Sequence, residues 1–300
     1  MRRRRESAPA SGQFVTIDGV KIWAQVAGAS RASVVFLPGA GSVGLEFSGL
    51  SAALSRNLTT VMYDRAGTGW SHPVPLPRAV EQVTAELARL LEALRVPAPF
   101  ILVGHSLGGA YAQRAALELG SEVAGVVLLD PVHRDWNRAM PPELRIESGA
   151  STRYTVDDID VLAARAALSA MLEDLDPEVR DAVIDVRMRE DRLLTGMQEV
   201  ANFAEMLEDL PSVLPGTAVR VIHATAVDPL QARYRSDELL RAQIDAMRDM
   251  YLAAFGADAY CPVPEANHST LPFAAEPRIV DAVRGMLRSP DSWLSDASRP

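Results

Sequence analysis

Residues 100–109 read Phe100-Ile101-Leu102-Val103-Gly104-His105-Ser106-Leu107-Gly108-Gly109, an apolar run that ends in Gly-x-Ser-x-Gly and passes directly into a helical pattern. An uninterrupted apolar run of this kind suits a strand buried on both faces, as in a parallel sheet. The flanking glycines permit a bend that side chains would obstruct. Ser106 is therefore expected at the tip of a strained turn, with a strand before it and a helix after it. Few folds offer that junction, and those that do alternate strands with crossover helices.

The alternation is present along the chain. Residues 14–17 and 20–26, separated by Asp18-Gly19, predict an opening hairpin, because that dipeptide suits a two-residue turn. Further strands are predicted at 33–37, 59–63, 100–103, 123–129, 219–222 and 258–263. Residues 79–94 place Val83, Leu87, Leu90, Leu91 and Leu94 at helical spacing, and helices are also predicted over 107–119 and 277–287. Residues 133–212 break the rhythm with helical patterns and no strand, as an inserted helical cap would. Within them the spacing predicts a helix capped by Thr155, a second opening at Asp176-Pro177 and a third over 193–210. Met171, Met188, Met197 and Met206 suit either an adaptable pocket or plain core filling, the commoner use of methionine on helices. The expected division is a tail at 1–12, an α/β core at 13–132 and 213–288, a helical cap at 133–212 and a second tail at 289–300.

Composition narrows the function. With 39 acidic against 30 basic residues and a net charge of −9, the chain lacks the basic surface that nucleic acid requires. Its single cysteine, Cys261, excludes an intrachain disulfide, a thiolate zinc cluster and a Cys-x-x-Cys pair, which fits a reducing cytoplasm. Arg2 to Arg5 precede charged and small residues instead of an apolar signal-peptide core, and no stretch of 18 apolar residues predicts a membrane span. No His-Glu-x-x-His or comparable ligand spacing points to a metal. No cofactor is expected; the expected partner is a small-molecule substrate, and the oligomeric state stays open.

A serine hydroxyl at such a tip is a nucleophile only if a base takes its proton, and imidazole has the suitable pKa. Of five histidines, His268 follows the last predicted strand and precedes the last helix, which puts it in a loop at the carboxyl edge of the sheet. His105 adjoins the serine but leaves the bend in the opposite direction; His72 lies in a loop before Pro73, and His223 at a strand end. The helix after Ser106 directs its amino terminus and the Leu107 amide at a developing oxyanion.

These features together resemble the α/β-hydrolase superfamily over about residues 14–288. Leu37-Pro38-Gly39-Ala40-Gly41-Ser42 is similar to the family's oxyanion loop, with Pro38 in place of its usual histidine, and implies the Ala40 amide as second donor. Tyr63-Asp64-Arg65-Ala66-Gly67-Thr68-Gly69-Trp70-Ser71 resembles the family's Asp-x-Arg-Gly-x-Gly-x-Ser segment. The resemblance implies a Ser-His-Asp triad with two candidates for the acid: Asp228, after the penultimate strand, and Asp130, after the strand before it, with a slight preference for Asp130. Either would hold the imidazole tautomer without accepting the proton. The implied activity is hydrolysis of an ester, thioester or lactone through an acyl-enzyme. Carbon–carbon bond hydrolysis on the same triad and non-catalytic ligand binding are the alternatives. Serine at the bend argues against epoxide hydrolase and haloalkane dehalogenase chemistry, which need a carboxylate nucleophile. Gly39-x-Gly41-x-x-Gly44 with Asp64 formally matches a dinucleotide fingerprint, but the preceding hairpin and the Ser, Asp, His order oppose it.

Overall fold

Asp18 and Gly19 both adopt positive φ, 49° and 82°, the twist a tight hairpin turn demands. They fold β1 (Gln13–Ile17) onto β2 (Val20–Ala27). In this computed structural model, which describes residues 9, 11–147, 155–212 and 214–287, that hairpin forms one edge of an eight-stranded sheet. The other strands are β3 (Ser33–Leu37), β4 (Thr59–Tyr63), β5 (Phe100–His105), β6 (Val123–Leu129), β7 (Ala218–Ala224) and β8 (Tyr260–Val263). Their order is β1-β2-β4-β3-β5-β6-β7-β8, antiparallel at the β1–β2 and β2–β4 pairs and parallel across the rest. Every residue of β3, β4 and β5 is buried, which is why these strands read as continuous apolar runs.

Helices cover both faces, as the expected α/β architecture requires. α1 (Ser48–Leu54), α2 (Val80–Ala93) and α3 (Leu107–Leu119) follow β3, β4 and β5 respectively. On one face Val83, Leu87 and Leu90 of α2 pack with Ala112 and Ala115 of α3 against Val35 and Leu102. Between β6 and β7 the described residues form α4 (Trp136–Ala139), α5 (Val161–Met171), α6 (Pro177–Arg187), α7 (Thr195–Glu199) and α8 (Phe203–Asp209). The chain closes with α9 (Asp237–Phe255), α10 (Leu271–Ala274) and α11 (Glu276–Leu287). Leu50 and Leu54 of α1 meet Ile279 and Val283 of α11 on the opposite face.

Several expectations need correction. Asp160 caps α5 by accepting from the Ala163 amide at 2.9 Å, so the helix starts later than a Thr155 cap implies; Val156–Asp158 is a 3-10 turn. Asp176 does cap α6, through the Glu178 and Val179 amides. The single helix expected over 193–210 is two, α7 and α8, interrupted at residues 200–202. The last strand is shorter than expected because Ala257–Ala259 form a 3-10 turn. Met206 is buried in the core on one face of the sheet and Met171 and Met188 pack against the core on the other, as core filling predicts, while Met197 is half-buried. The expected tails lie outside the described residues, apart from Pro9, Ser11 and Gly12.

The segment between β6 and β7 is fastened to the strand carboxyl edge by arginines. Arg187 pairs with Glu46 at 3.0 Å, and Arg192 donates to the carbonyls of Gly69 and Ser71, each at 3.0 Å. None of the described helices is long and apolar enough to cross a membrane.

Candidate active site

The bend at Ser106 takes the strained form its sequence predicts. Ser106 has φ 53° and ψ −118°, a conformation that costs a side-chain-bearing residue about 1–3 kcal/mol. Its amide donates to the Leu129 carbonyl at 2.9 Å, which ties the tip to β6, and its hydroxyl does not cap α3. A Cβ on Gly108 would run into the Leu37 carbonyl and one on Gly104 into the Gly108 carbonyl, so the backbones approach too closely for any other residue. The Leu107 amide opens α3, where the helix dipole favours negative charge.

His268 lies in the loop between β8 and α10. Its Nδ1 donates to Asp130 Oδ2 at 3.2 Å, while Asp130 Oδ1 accepts the Ala224 amide at 3.0 Å. Asp130 follows β6 directly and adopts φ 43°, a second strained position beside the first. Burial pulls the His268 pKa down, but the hydrogen bond and charge of Asp130, aided by Asp228, outweigh it and leave the pKa above its ordinary value. With Nδ1 committed to the carboxylate, Nε2 is the nitrogen free for a reacting group. Asp228 does not pair with the imidazole: it accepts from the Leu230 amide at 2.8 Å and from the Ser269 hydroxyl at 2.6 Å. It therefore braces the loop that carries His268. His105 does the same from the other side, donating through Nε2 to the His268 carbonyl at 3.0 Å, and its burial pushes its pKa down to about 3.

The loop bearing Ala40 is held by Arg65 of the Asp-x-Arg segment together with Glu199, a residue that sequence reasoning missed. Arg65, buried, donates to the Pro38 carbonyl at 2.6 Å and the Gly39 carbonyl at 2.8 Å. The same guanidinium meets Glu199 of α7 at 2.8 Å and 3.1 Å, and the second Glu199 oxygen accepts the Gly41 amide at 2.8 Å. Ala40 thus sits between two anchored neighbours. Burial alone would lower the Arg65 pKa, but the facing Glu199 more than reverses that. Nothing in the sequence marks Glu199 itself; the only signal is Arg65, a cation in a motif flanked by apolar strands, which must find a counter-charge.

Asp64 answers the dinucleotide reading. It is fully buried and accepts from the Gly44 and Trp70 amides at 2.8 Å and 2.9 Å, with burial raising its pKa to about 7. It stabilises the glycine loop from inside and presents nothing to a ribose. His223 is buried against Tyr251 and shares a hydrogen bond with the Tyr260 hydroxyl at 2.9 Å. His72 is exposed. Among the described residues no group of three or more His, Cys, Asp or Glu side chains is arranged to hold a metal.

Ser106, Asp130 and His268 line one cleft of about 530 Å³. Val132, Trp136, Ile146, Phe203 and Met247 supply apolar walls, and Gln231, Arg235 and Gln243 a polar corner. A hydroxyl on a strained tip, an imidazole held by a carboxylate and the Leu107 amide at the start of α3 are the parts that nucleophilic attack on a carbonyl would use.

Comparison with known proteins bears on the family and the fold. A family model described as the alpha/beta hydrolase family matches residues 34–283. Lipase LipV of Mycobacterium tuberculosis is 33% identical over 188 residues, which cover 60% of this chain and 67% of LipV. The uncharacterized protein YqjL of Bacillus subtilis is 34% identical over 121 residues, 40% of this chain, and the match spans only 48% of YqjL. The crystal structure of the enol-lactonase from Burkholderia xenovorans LB400 superposes with a TM-score of 0.64 over 92% of this chain and all of its own, at 19% identity, a likeness of fold.

Proposed function

The chain belongs to the alpha/beta hydrolase family, and from that premise we propose that it is a serine hydrolase of ester-like small molecules, carboxylic esters, thioesters or lactones. Ser106 Oγ attacks the carbonyl carbon while His268 Nε2 takes its proton. The amides of Ala40 and Leu107 bind the oxyanion, and Asp130 holds the imidazole and stabilises the imidazolium. His268 returns the proton to the leaving group, and a water activated by the same imidazole cleaves the acyl-enzyme. The helical segment between β6 and β7 acts as the cap that walls the cleft.

The observation that carries this reading is that Ser106 and His268 open onto one cleft, with His268 Nδ1 already engaged by Asp130. The names lipase and enol-lactonase, borne by two of the similar proteins, agree with an ester or lactone substrate.

A fluorophosphonate probe tests it directly. Ser106 should become covalently labelled, found by peptide mass, and Ser106→Ala should lose both the label and hydrolysis of p-nitrophenyl esters, by at least about a thousandfold. An unlabelled Ser106 in folded protein would refute the reading and favour a ligand-binding role.

A further inference from the structure

The walls of the cleft are apolar except at one corner, and that corner carries a cation. Arg235 stands on the loop between β7 and α9 and lines the same cleft as Ser106 and His268. Its Nη1 donates to Gln231 Oε1 at 3.1 Å and Gln243 Oε1 at 3.5 Å, two neutral acceptors that orient the guanidinium without neutralising it. The arginines on the opposite side of the site are each paired with a carboxylate: Arg65 with Glu199, Arg187 with Glu46, Arg192 with Asp191. Among the described residues no ion pair is formed by Arg235 at salt-bridge distance. The acids nearest along the chain, Asp237 and Glu238, lie in the first turn of α9 and form no ion pair with Arg235 among the described residues, and Asp228 is occupied by the Leu230 amide and by Ser269.

A second observation lies at the same rim. Leu230 and Tyr234 are among the exposed large hydrophobic side chains, at 37% and 85%, and both line this cleft. An uncompensated guanidinium flanked by exposed apolar surface is complementary to a ligand with an anionic group on an apolar body. In a chain of net charge −9 the local cation also offsets the general repulsion such a ligand would meet.

We propose that the cleft selects ester-like substrates that carry a carboxylate away from the scissile bond, seated against Arg235, with their apolar part against Trp136, Phe203 and Met247. The proposal rests on the serine hydrolase reading for the chemistry but names a recognition site of its own. Arg235 is a specificity-determining residue; it takes no part in bond making.

Two matched pairs of esters test it, because the carboxylate can lie on either side of the bond: mono-p-nitrophenyl adipate against p-nitrophenyl hexanoate, and 4-carboxyphenyl hexanoate against phenyl hexanoate. In at least one pair the anionic ester should have the higher kcat/KM, by about tenfold, with the preference shrinking as salt is raised. In Arg235→Gln the ratio of anionic to neutral kcat/KM should fall to near one, through KM, and Arg235→Lys should restore part of it. Calorimetric titration of both anionic esters into Ser106→Ala and into Ser106→Ala/Arg235→Gln reads the same subsite without chemistry. The second protein should bind the preferred ester about tenfold more weakly. The absence of any anionic preference in both pairs, or a preference and an affinity that survive Arg235→Gln, overturns the proposal. An unlabelled Ser106 with Arg235-dependent binding of an anionic ester would overturn the hydrolase reading and leave this one supported.

Discussion

Truncating Glu199 to alanine removes a carboxylate that satisfies three donors at once: Arg65 Nε at 2.8 Å, Arg65 Nη2 at 3.1 Å and the Gly41 amide at 2.8 Å. Arg65 keeps its charge, because guanidinium does not deprotonate in proteins, and is left with the Pro38 and Gly39 carbonyls and the face of the Tyr111 ring, none of which carries a counter-charge. Breaking a buried pair from one side costs about 3–5 kcal/mol, mostly for the stranded charge. The cost should fall on folding, read by urea unfolding, and also on turnover, because the loop carrying Ala40 loses the acceptor that fixed Gly41. A double variant, Arg65→Met with Glu199→Leu, separates the two effects. Replacing a buried pair by apolar side chains removes the stranded charge, so folding should recover part of the loss, less what the unpaired backbone groups cost. Ester turnover should not recover, since the Gly41 amide still lacks its acceptor and the Pro38 and Gly39 carbonyls now lose their donor. If Glu199→Ala unfolds within about 1 kcal/mol of the parent, or if the double variant regains full turnover, the clamp argument is wrong.

Three further outcomes are expected. Asp130→Asn should lower ester turnover far more than Asp228→Asn, by about a hundredfold or greater, because only Asp130 reaches the imidazole; equal losses in folded proteins would count against that assignment. The protonated imidazole cannot accept the serine proton, and the His268 pKa is raised, so kcat/KM should fall as pH drops through a value above the ordinary 6.5. Asp130→Asn removes the principal raising influences and should move that limb to lower pH; a stationary limb in the pH–rate profile would show that another group controls it. Gly108→Ala places a methyl against the Leu37 carbonyl and should cost about 3 kcal/mol or more in urea unfolding, or prevent folding; a variant as stable as the parent would mean the bend is looser than described.

The sheet was legible wherever burial made the strand apolar on both faces: β3, β4 and β6 match their sequence patterns end to end. The bend at Ser106 and the loop position of His268 were equally readable, since each is bracketed by a strand and a helix. Alternation alone assigns no element to residues 237–255, yet α9 is the longest described helix. Its signals are a Ser236 cap and buried Leu240, Met247, Met250 and Tyr251 among many charges, weaker marks than an unbroken apolar run. Sequence supported only a slight preference for Asp130 over Asp228, because both follow strand ends. Geometry separates them by which atom each carboxylate meets, a tertiary fact with no local trace. Glu199 is invisible for the same reason: 134 residues separate it from Arg65.

The arginine ties beneath the segment between β6 and β7 bear on how molecules travel to and from Ser106. Raising that segment as a rigid roof would require breaking Arg65–Glu199 and Arg187–Glu46 and freeing Arg192 from two carbonyls together. Such a movement would strand several buried charges at once. On the flank bordered by Leu230 and Tyr234 side chains already face solvent and need only rotate. If the chain turns over esters at Ser106 as proposed, that side door by the loop before α9 lets them pass with every tie intact.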